Sequence, residues 1–406
     1  MAKIKFIFIA LFIGIINALF FIAVEFIDTR GTNYLWNEFF NTDENRLATI
    51  PVAIFLSIIF SAVILLLKQK RIGKAETNLL SDEEVESTSV KDIFRIFVIG
   101  CAGLLAGASL GPEGVLIAIS SGIGIWLAQR AKKMETAKLL VLSSVGALLV
   151  GFFGSLLPIL IPIIILYKKE KKLVTGHIIP PIVAGIGTYI TLDIIKSGNI
   201  GFGSIPTGST YNFQDLIGAF ILGIIGAIIA FLIKKLIGKF EIITKDINSR
   251  THWIVSAAIF GGVIGTLYLI GGQTIEFSGK EGTIMLLQNN SYSIGILILI
   301  VITKLLVTSW SLPAGYKGGL VFPSVFMAAA LSLIFTQIDP ILGGAGITIG
   351  ATAGMMTAML SPVLGFILVL SMIPLSFILV AASGLFGAII GTKLTAKLTA
   401  SKNKSA

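Results

Sequence analysis

Residues 107–119 read Gly107-Ala-Ser-Leu-Gly-Pro-Glu-Gly-Val-Leu-Ile-Ala-Ile119, and one carboxylate, Glu113, interrupts a stretch with no other charge from Ile96 to Trp126. A charge within a membrane segment costs about 3 kcal/mol on insertion scales, so it marks function by default. Gly111-Pro112 ends one helix, and Pro112, with its fixed φ and no N–H, suits the opening of the next. Glu113 then falls in a first turn, where N–H groups outside the helix ladder and the positive dipole end favour an anion. The stretch predicts a helix that starts inside the membrane, an anion site with a carboxylate already in it. The plainer alternative is a capping glutamate in a loop.

Composition agrees with a membrane setting. Of 406 residues, 55% are hydrophobic and 13% charged, and the mean hydropathy is +0.95, beyond the balance of soluble domains. The length leaves room for ten or more segments of about 20 residues each. The first, Ile4–Ile27, is too long for a signal peptide and lacks a small-residue cleavage pattern, so it reads as a retained helix.

The net charge of +10 is not a nucleic-acid signal. The basic residues fall in short runs between apolar segments: Lys68–Arg71, Arg130–Lys133, Lys168–Lys172, Lys234-Lys235 and the tail after Lys393. This positive-inside pattern puts those loops and both termini in the cytoplasm of a multi-pass cell-membrane protein. The mixed-charge loop Asp28–Arg46, with Tyr34 and Trp36, then faces outward. One cysteine, Cys101, and two histidines, His177 and His252, exclude a disulfide framework and argue against a metal site. No cofactor is expected.

Along the chain, Ile4–Ile27 and Ala48–Leu67 precede a polar connector, Lys68–Lys91, whose Ser81–Glu86 run reads as a solvated acidic loop. Short segments follow: Ile96–Leu110, Gly114–Leu127, Thr136–Phe153 and Leu156–Tyr167. Backbone this irregular is tolerated at membrane depth only where it packs in protein or lines a watery cavity. After Ile178–Ile195 come Phe213–Leu236, Trp253–Ile270, Ile294–Trp310, Leu320–Ile334, Ile347–Met359 and Val363–Leu379, ending near Ile390. Closely spaced Gly218, Gly223 and Gly226 suit tight helix packing in lipid. Four regions result: N-terminal helices and connector (1–93), a first core half with the Glu113 break (94–212), a second half with the Gly318–Pro323 break (213–392), and a basic tail (393–406).

The two halves rhyme at an offset of about 205 residues. Gly111–Gly114 matches Gly315–Pro323, Ser143–Ala147 matches Gly350–Gly354, and the break Gly154–Pro158 matches Ser361-Pro362. Paired interrupted segments point to a transporter fold of repeated halves, with the site where the breaks meet. Convergent helix starts and glycine-freed N–H groups bind a small dehydrated anion without a full opposite charge. Many partial dipoles also allow the ion to leave, which a formal cation would hinder. Glu113 would compete for those donors and so act as a gate. Lys304 could raise the local positive potential; snorkelling to the cytoplasmic interface is the equal alternative. Asp193 and Glu25 read as interfacial, and Met355, Met356, Met359 and Met372 as packing.

Gly111-Pro-Glu-Gly-Val115 resembles the Gly-(Arg/Lys/Pro)-Glu-Gly-Pro motif of the CLC chloride channels and proton/chloride antiporters. Gly318-Gly-Leu-Val-Phe-Pro323 resembles their Gly-Gly-(Ile/Leu)-Phe-x-Pro motif, and Gly354–Met372 resembles a late segment of that family. The likeness runs from about Ile96 to Ile390. It implies an all-α membrane protein, an inverted repeat of short tilted helices, assembled as a homodimer in lipid with one anion pathway per subunit. Glu113 becomes the gating glutamate. Backbone at Gly111, Gly114, Val115, Gly318, Gly319, Leu320 and Val321 would line the anion site.

The departures are specific. Pro112 and Val115 replace the commoner Arg or Lys and Pro, and Pro112 offers no N–H. The family's early Gly-Ser-Gly-Ile-Pro has no counterpart before Ile96; Gly203–Pro206 looks similar but lies after the first half and reads as a decoy. The antiporters' internal proton glutamate would fall near Ile165-Leu166, and Glu170 is too far along. The inner tyrosine and the cytoplasmic nucleotide-binding domains are not found. The expectation is a Glu113-gated passage for a small inorganic anion, chloride first. A passive channel is preferred slightly over a proton-coupled antiporter for want of a second buried carboxylate. The alternatives are an intramembrane enzyme using Glu113 as acid or base, with only Ser109 and distant histidines to help, and a non-transporting structural subunit.

Overall fold

The computed structural model describes residues 2–67, 88–131, 136–171, 174–197, 205, 210–288, 292–338 and 344–404. Among these, regular structure is helical, and the isolated backbone bridge Gly111↔Gly319 stands outside it. The acidic connector run and all of Gly203–Pro206 except Ile205 lie outside the described residues.

The α-helices are α1 (Ala2–Phe26), α2 (Thr49–Leu66), α3 (Val90–Leu105), α4 (Glu113–Arg130), α5 (Ala137–Phe153), α6 (Leu160–Glu170), α7 (Thr175–Lys196), α8 (Phe213–Arg250), α9 (Trp253–Gly271), α10 (Lys280–Gln288), α11 (Ile294–Ser311), α12 (Val321–Ile338), α13 (Gly344–Met359), α14 (Pro362–Leu370) and α15 (Ile378–Lys404). Eight helical segments among the described residues are long and apolar enough to cross a membrane. Other helices are interrupted and shorter, as the sequence suggested. At about 1.5 Å per residue, the 11 residues of α6 reach roughly half of a 30 Å hydrocarbon layer.

Local chemistry sets several boundaries. Asn212 and Asp215 form a reciprocal capping box at the start of α8, satisfying two N–H groups the helix leaves over. Ser361 caps α14 through Leu364 N–H at 3.2 Å, with Pro362 in the first turn. Gly154 ends α5 in the left-handed region, φ 64°.

The structure corrects three expectations. Asp28–Arg46 is not an open loop: π-helical turns cover Ile27–Gly31 and Tyr34–Phe39, and Asp28 and Trp36 are buried. Val363–Leu379 is not one segment, because α14 ends at Leu370 and α15 begins at Ile378. Pro374, which has no N–H to donate, sits in the gap. The basic tail from Lys393, by contrast, keeps its place and is helical to Lys404 as part of α15. α8 runs 38 residues, far past Leu236, and its last turns carry the (i, i+4) pairs Glu241–Lys245 and Asp246–Arg250.

The repeat is visible in the helix order. α3–α7 and α11–α15 are runs of five in which the fourth is the shortest, 11 residues in one and 9 in the other. The fold is an all-α, multi-pass membrane architecture of repeated, interrupted helices.

The chain divides into two compact units: Met1–Arg30, Ile72–Ala102 and Pro112–Ser204 form one; Gly31–Arg71, Gly103–Gly111 and Ile205–Ala406 form the other. In the first unit α1, α4, α5 and α7 pack together. A buried polar knot pins them: Asn17 Nδ2 donates to Ser144 Oγ at 2.9 Å and to Ile13 O at 2.9 Å, and Ser120 Oγ donates to Asn17 Oδ1. At one end of this unit Glu25 pairs with Lys196 at 2.6 Å, both partly exposed, as interfacial groups do.

In the second unit α8, α13 and α15 form the tightest packing. Gly223 and Gly354 bring backbones of α8 and α13 so close that a Cβ on Gly354 would lie 2.2 Å from Gly223 O, the small-residue packing expected in lipid. Met355, Met356 and Met372 are buried, as expected of methionines that serve packing.

Candidate functional site

In the first unit, Glu113 is the first residue of α4, with Pro112 before it in helical conformation at φ −68° and ψ −10°. Its side chain is buried, at 2% exposure. The first bond of the helix ladder here runs from Leu116 N–H to Pro112 O, 3.0 Å. The N–H groups of Glu113, Gly114 and Val115 therefore precede the ladder, at the positive end of an 18-residue helix. Val115 anchors this helix start against α3, since a Cβ on Gly100 would lie 2.2 Å from Val115 Cγ1.

In the second unit, the other break takes the form read from sequence. Gly111 N–H donates to Gly319 O at 2.9 Å, and Gly319 N–H donates to Gly111 O at 2.7 Å. Gly111 and Gly319, both in this unit, are thus joined directly, backbone to backbone. Gly318 has no room for a side chain: a Cβ would lie 2.5 Å from Leu110 Cβ and 2.8 Å from Gly111 O. Ser324 N–H to Leu320 O, 3.0 Å, begins the ladder of α12, so Val321 occupies the same place on α12 that Glu113 occupies on α4. Tyr316, two residues ahead of Gly318, stacks on Phe60 with centroids 4.7 Å apart and is hydrogen-bonded to Ser57.

The segment Ala106–Gly111, which leads into Pro112-Glu113, is held on every side within the second unit. Trp36 Nε1 donates to Leu105 O at 2.8 Å. Gly107 has φ +88°, and a Cβ there would meet Trp36 Cζ2 at 2.6 Å, so glycine is required both by conformation and by space. Tyr268 OH donates to Gly107 O at 3.0 Å and accepts from Phe277 N–H at 2.8 Å. Ser109 N–H donates to Ser311 Oγ at 3.2 Å.

Lys304 does not snorkel. It is 0% exposed, and Nζ donates to Ile275 O at 3.0 Å and Phe277 O at 2.7 Å. The interfacial reading fails because α11 presents this residue inward, toward a turn whose carbonyls point back at it.

Sequence reading missed Trp36, Tyr268, Glu276 and Arg46, which brace the segment from positions scattered over more than two hundred residues. No spacing signal joins them. Trp36 was expected in an outward-facing loop, whereas it is fully buried.

Comparison with known proteins followed from this geometry. The family profile described as "Voltage gated chloride channel" matches residues 58–400. An uncharacterized protein of Methanocaldococcus jannaschii is 26% identical over 402 residues, 97% of this chain and 93% of its own. YfeO of Escherichia coli O139:H28, a protein named for ion transport, is 24% identical over 345 residues, 82% of this chain and 79% of its own. Among solved structures, a slow cyanobacterial Cl⁻/H⁺ antiporter superposes with a TM-score of 0.72 at 19% identity, over 98% of both chains. A CLC-type fluoride/proton antiporter superposes with a TM-score of 0.71 at 15% identity, over 96% of both.

Proposed function

The chain belongs to the voltage-gated chloride channel family, and from that premise we propose that it moves a small halide ion across a membrane in exchange for protons, with Glu113 as the gate. The observation that carries the reading is a carboxylate buried as the first residue of a helix within a membrane protein. Such a group stays charged only while donors compensate it. A halide arriving at the same helix starts takes those donors, and Glu113 then takes up a proton. Anion entry and proton uptake become one event.

The backbone at Gly114 and Val115, beside Glu113 at the start of α4, supplies the halide's partial charges, as dipoles rather than cations. Exchange is preferred to the passive channel because both similar solved structures are named as proton antiporters. One is named for chloride and the other for fluoride, so the substrate class is halide. The protein works as a homodimer in the lipid bilayer. The basic runs between apolar segments support cytoplasmic termini.

The test is efflux from liposomes holding the purified protein under a chloride or fluoride gradient, with a pH dye in the same vesicles. Protons driven uphill by the halide gradient are expected. Halide efflux that proceeds without uphill protons, limited only by charge build-up, would establish the channel instead. Absence of flux for chloride, bromide, nitrate and fluoride would overturn the anion reading.

A further inference from the structure

The second unit contains another carboxylate that the gate does not use. Glu276 ends the tight turn Gln273–Ile275, between α9 and α10, and is 4% exposed. Arg46 Nη2 lies 2.7 Å from its Oε1. The same nitrogen donates to Tyr268 O at 3.1 Å, and Nη1 donates to Thr42 O at 3.4 Å. Lys304 donates to the carbonyls of Ile275 and Phe277, the residues on either side of Glu276. Two cations thus clasp one short turn, and that turn carries Phe277, whose N–H holds the Tyr268 hydroxyl on Gly107 O.

We infer that Glu276 is a positioning residue for the Glu113 break: its carboxylate holds Arg46 and the turn, and the turn holds Ala106–Gly111 through Phe277 and Tyr268. The inference deepens the proposed exchange and rests on it for its functional readout. The linkage is short, from Glu276 along one peptide bond to Phe277, then Tyr268, then Gly107. Trp36 packs on the same assembly, its ring 5.4 Å from that of Phe277 and 6.2 Å from that of Tyr268.

The carboxylate is also poised to respond to pH. Burial pushes its pKa up to about 7, against Arg46 and Lys304, which pull it down; exposed Asp43 adds to the rise. Tyr268 faces it from α9. α10, packed on the same turn, begins with Lys280 and Glu281. Protonation near neutral pH removes the charge that holds Arg46, so the brace on Ala106–Gly111 loosens in acid and tightens in base.

Two readouts test this on the full-length protein between about pH 5 and 9: halide efflux from liposomes, and tryptophan fluorescence in a background where Trp126, Trp253 and Trp310 are replaced by Phe, so that Trp36 alone reports from within the brace; wild type in that readout means this background with Glu276 intact. Wild type is expected to show a midpoint near pH 7 in both. Glu276→Gln is expected to flatten both curves at the acid level, and Glu276→Asp to keep a midpoint at a shifted pH. Tyr268→Phe is expected to remove the midpoint from efflux, because the link to Gly107 is cut. A midpoint unchanged in Glu276→Gln, or absent from wild-type fluorescence, would overturn the inference. If Glu276→Gln fails to fold, Glu276→Asp and Tyr268→Phe decide it, and an efflux midpoint that neither variant moves would overturn it. Wild type without halide flux would defeat the proposed function alone, and the fluorescence midpoint would still decide for or against the Glu276 brace.

Discussion

Gly111 and Gly319 exchange a reciprocal pair of backbone hydrogen bonds, at 2.9 and 2.7 Å, across more than two hundred residues of chain. The neighbouring Gly318 is where this close approach leaves no room for a side chain. Gly318→Ala would push a methyl to 2.5 Å from Leu110 Cβ, and only backbone movement relieves it. We expect a loss of about 1–3 kcal/mol in stability and at least tenfold slower halide efflux, measured by denaturant unfolding in detergent and by liposome flux.

Glu113→Gln keeps the size of the side chain and removes its charge. If Glu113 competes with the halide for helix-start donors, the variant conducts halide continuously and no longer drives protons. Liposome efflux should persist while uphill proton movement disappears. Proton coupling that survives in Glu113→Gln would place the coupling group elsewhere.

Lys304 serves the turn Gln273–Phe277 through two carbonyls. Lys304→Met preserves much of the volume yet leaves both acceptors without their ammonium. Buried acceptors so stranded cost about 1–3 kcal/mol each. The expected result is a lower denaturation midpoint together with faster proteolysis between α9 and α10, followed by mass spectrometry.

Asn17 joins α1 to Ser120 on α4 and Ser144 on α5. Asn17→Leu should cost about 1–2 kcal/mol, the upper range for hydrogen bonds between membrane helices. Because Ser120 acts through Asn17, the double variant with Ser120→Ala should lose less than the sum of the two single losses. Unfolding in lipid nanodiscs measures both.

Glu276 gives stability a defined dependence on pH. Its carboxyl rises from an ordinary 4.5 to about 7 in the fold, so the folded protein binds the proton more tightly than the unfolded chain. The contribution of this group is complete below about pH 4.5 and is lost as pH rises through 7. Relative to Glu276→Gln, wild type should therefore lose up to about 3 kcal/mol between pH 4.5 and 7, then stay level. Thermal unfolding of the two proteins across that range checks the sign.

Much of the fold was legible because its signals are local. The starts of α4, α12 and α14 follow from proline, glycine and serine within a few residues of each boundary. Their recurrence at a constant offset exposed the repeat before any contact was known. The stretch after Tyr34 misled because π-helical turns leave no recognisable spacing, and Val363–Leu379 because its apolar run hides a break between α14 and α15 around Pro374. Lys304 stayed ambiguous because a lone lysine on an apolar helix fits either the interface or the interior equally well.

By itself the sequence determined that this is a membrane protein with paired interrupted helices and a carboxylate at one helix start. Those properties come from hydropathy, proline and glycine chemistry, and charge, each acting over one or two turns. Tertiary structure alone decided that Gly111 pairs with Gly319, and that Trp36, Tyr268, Glu276, Arg46 and Lys304 gather around the segment leading to Glu113. The physical reason is that a buried ion pair or a bridging hydroxyl depends on which helix faces are brought together, and no local preference encodes that choice.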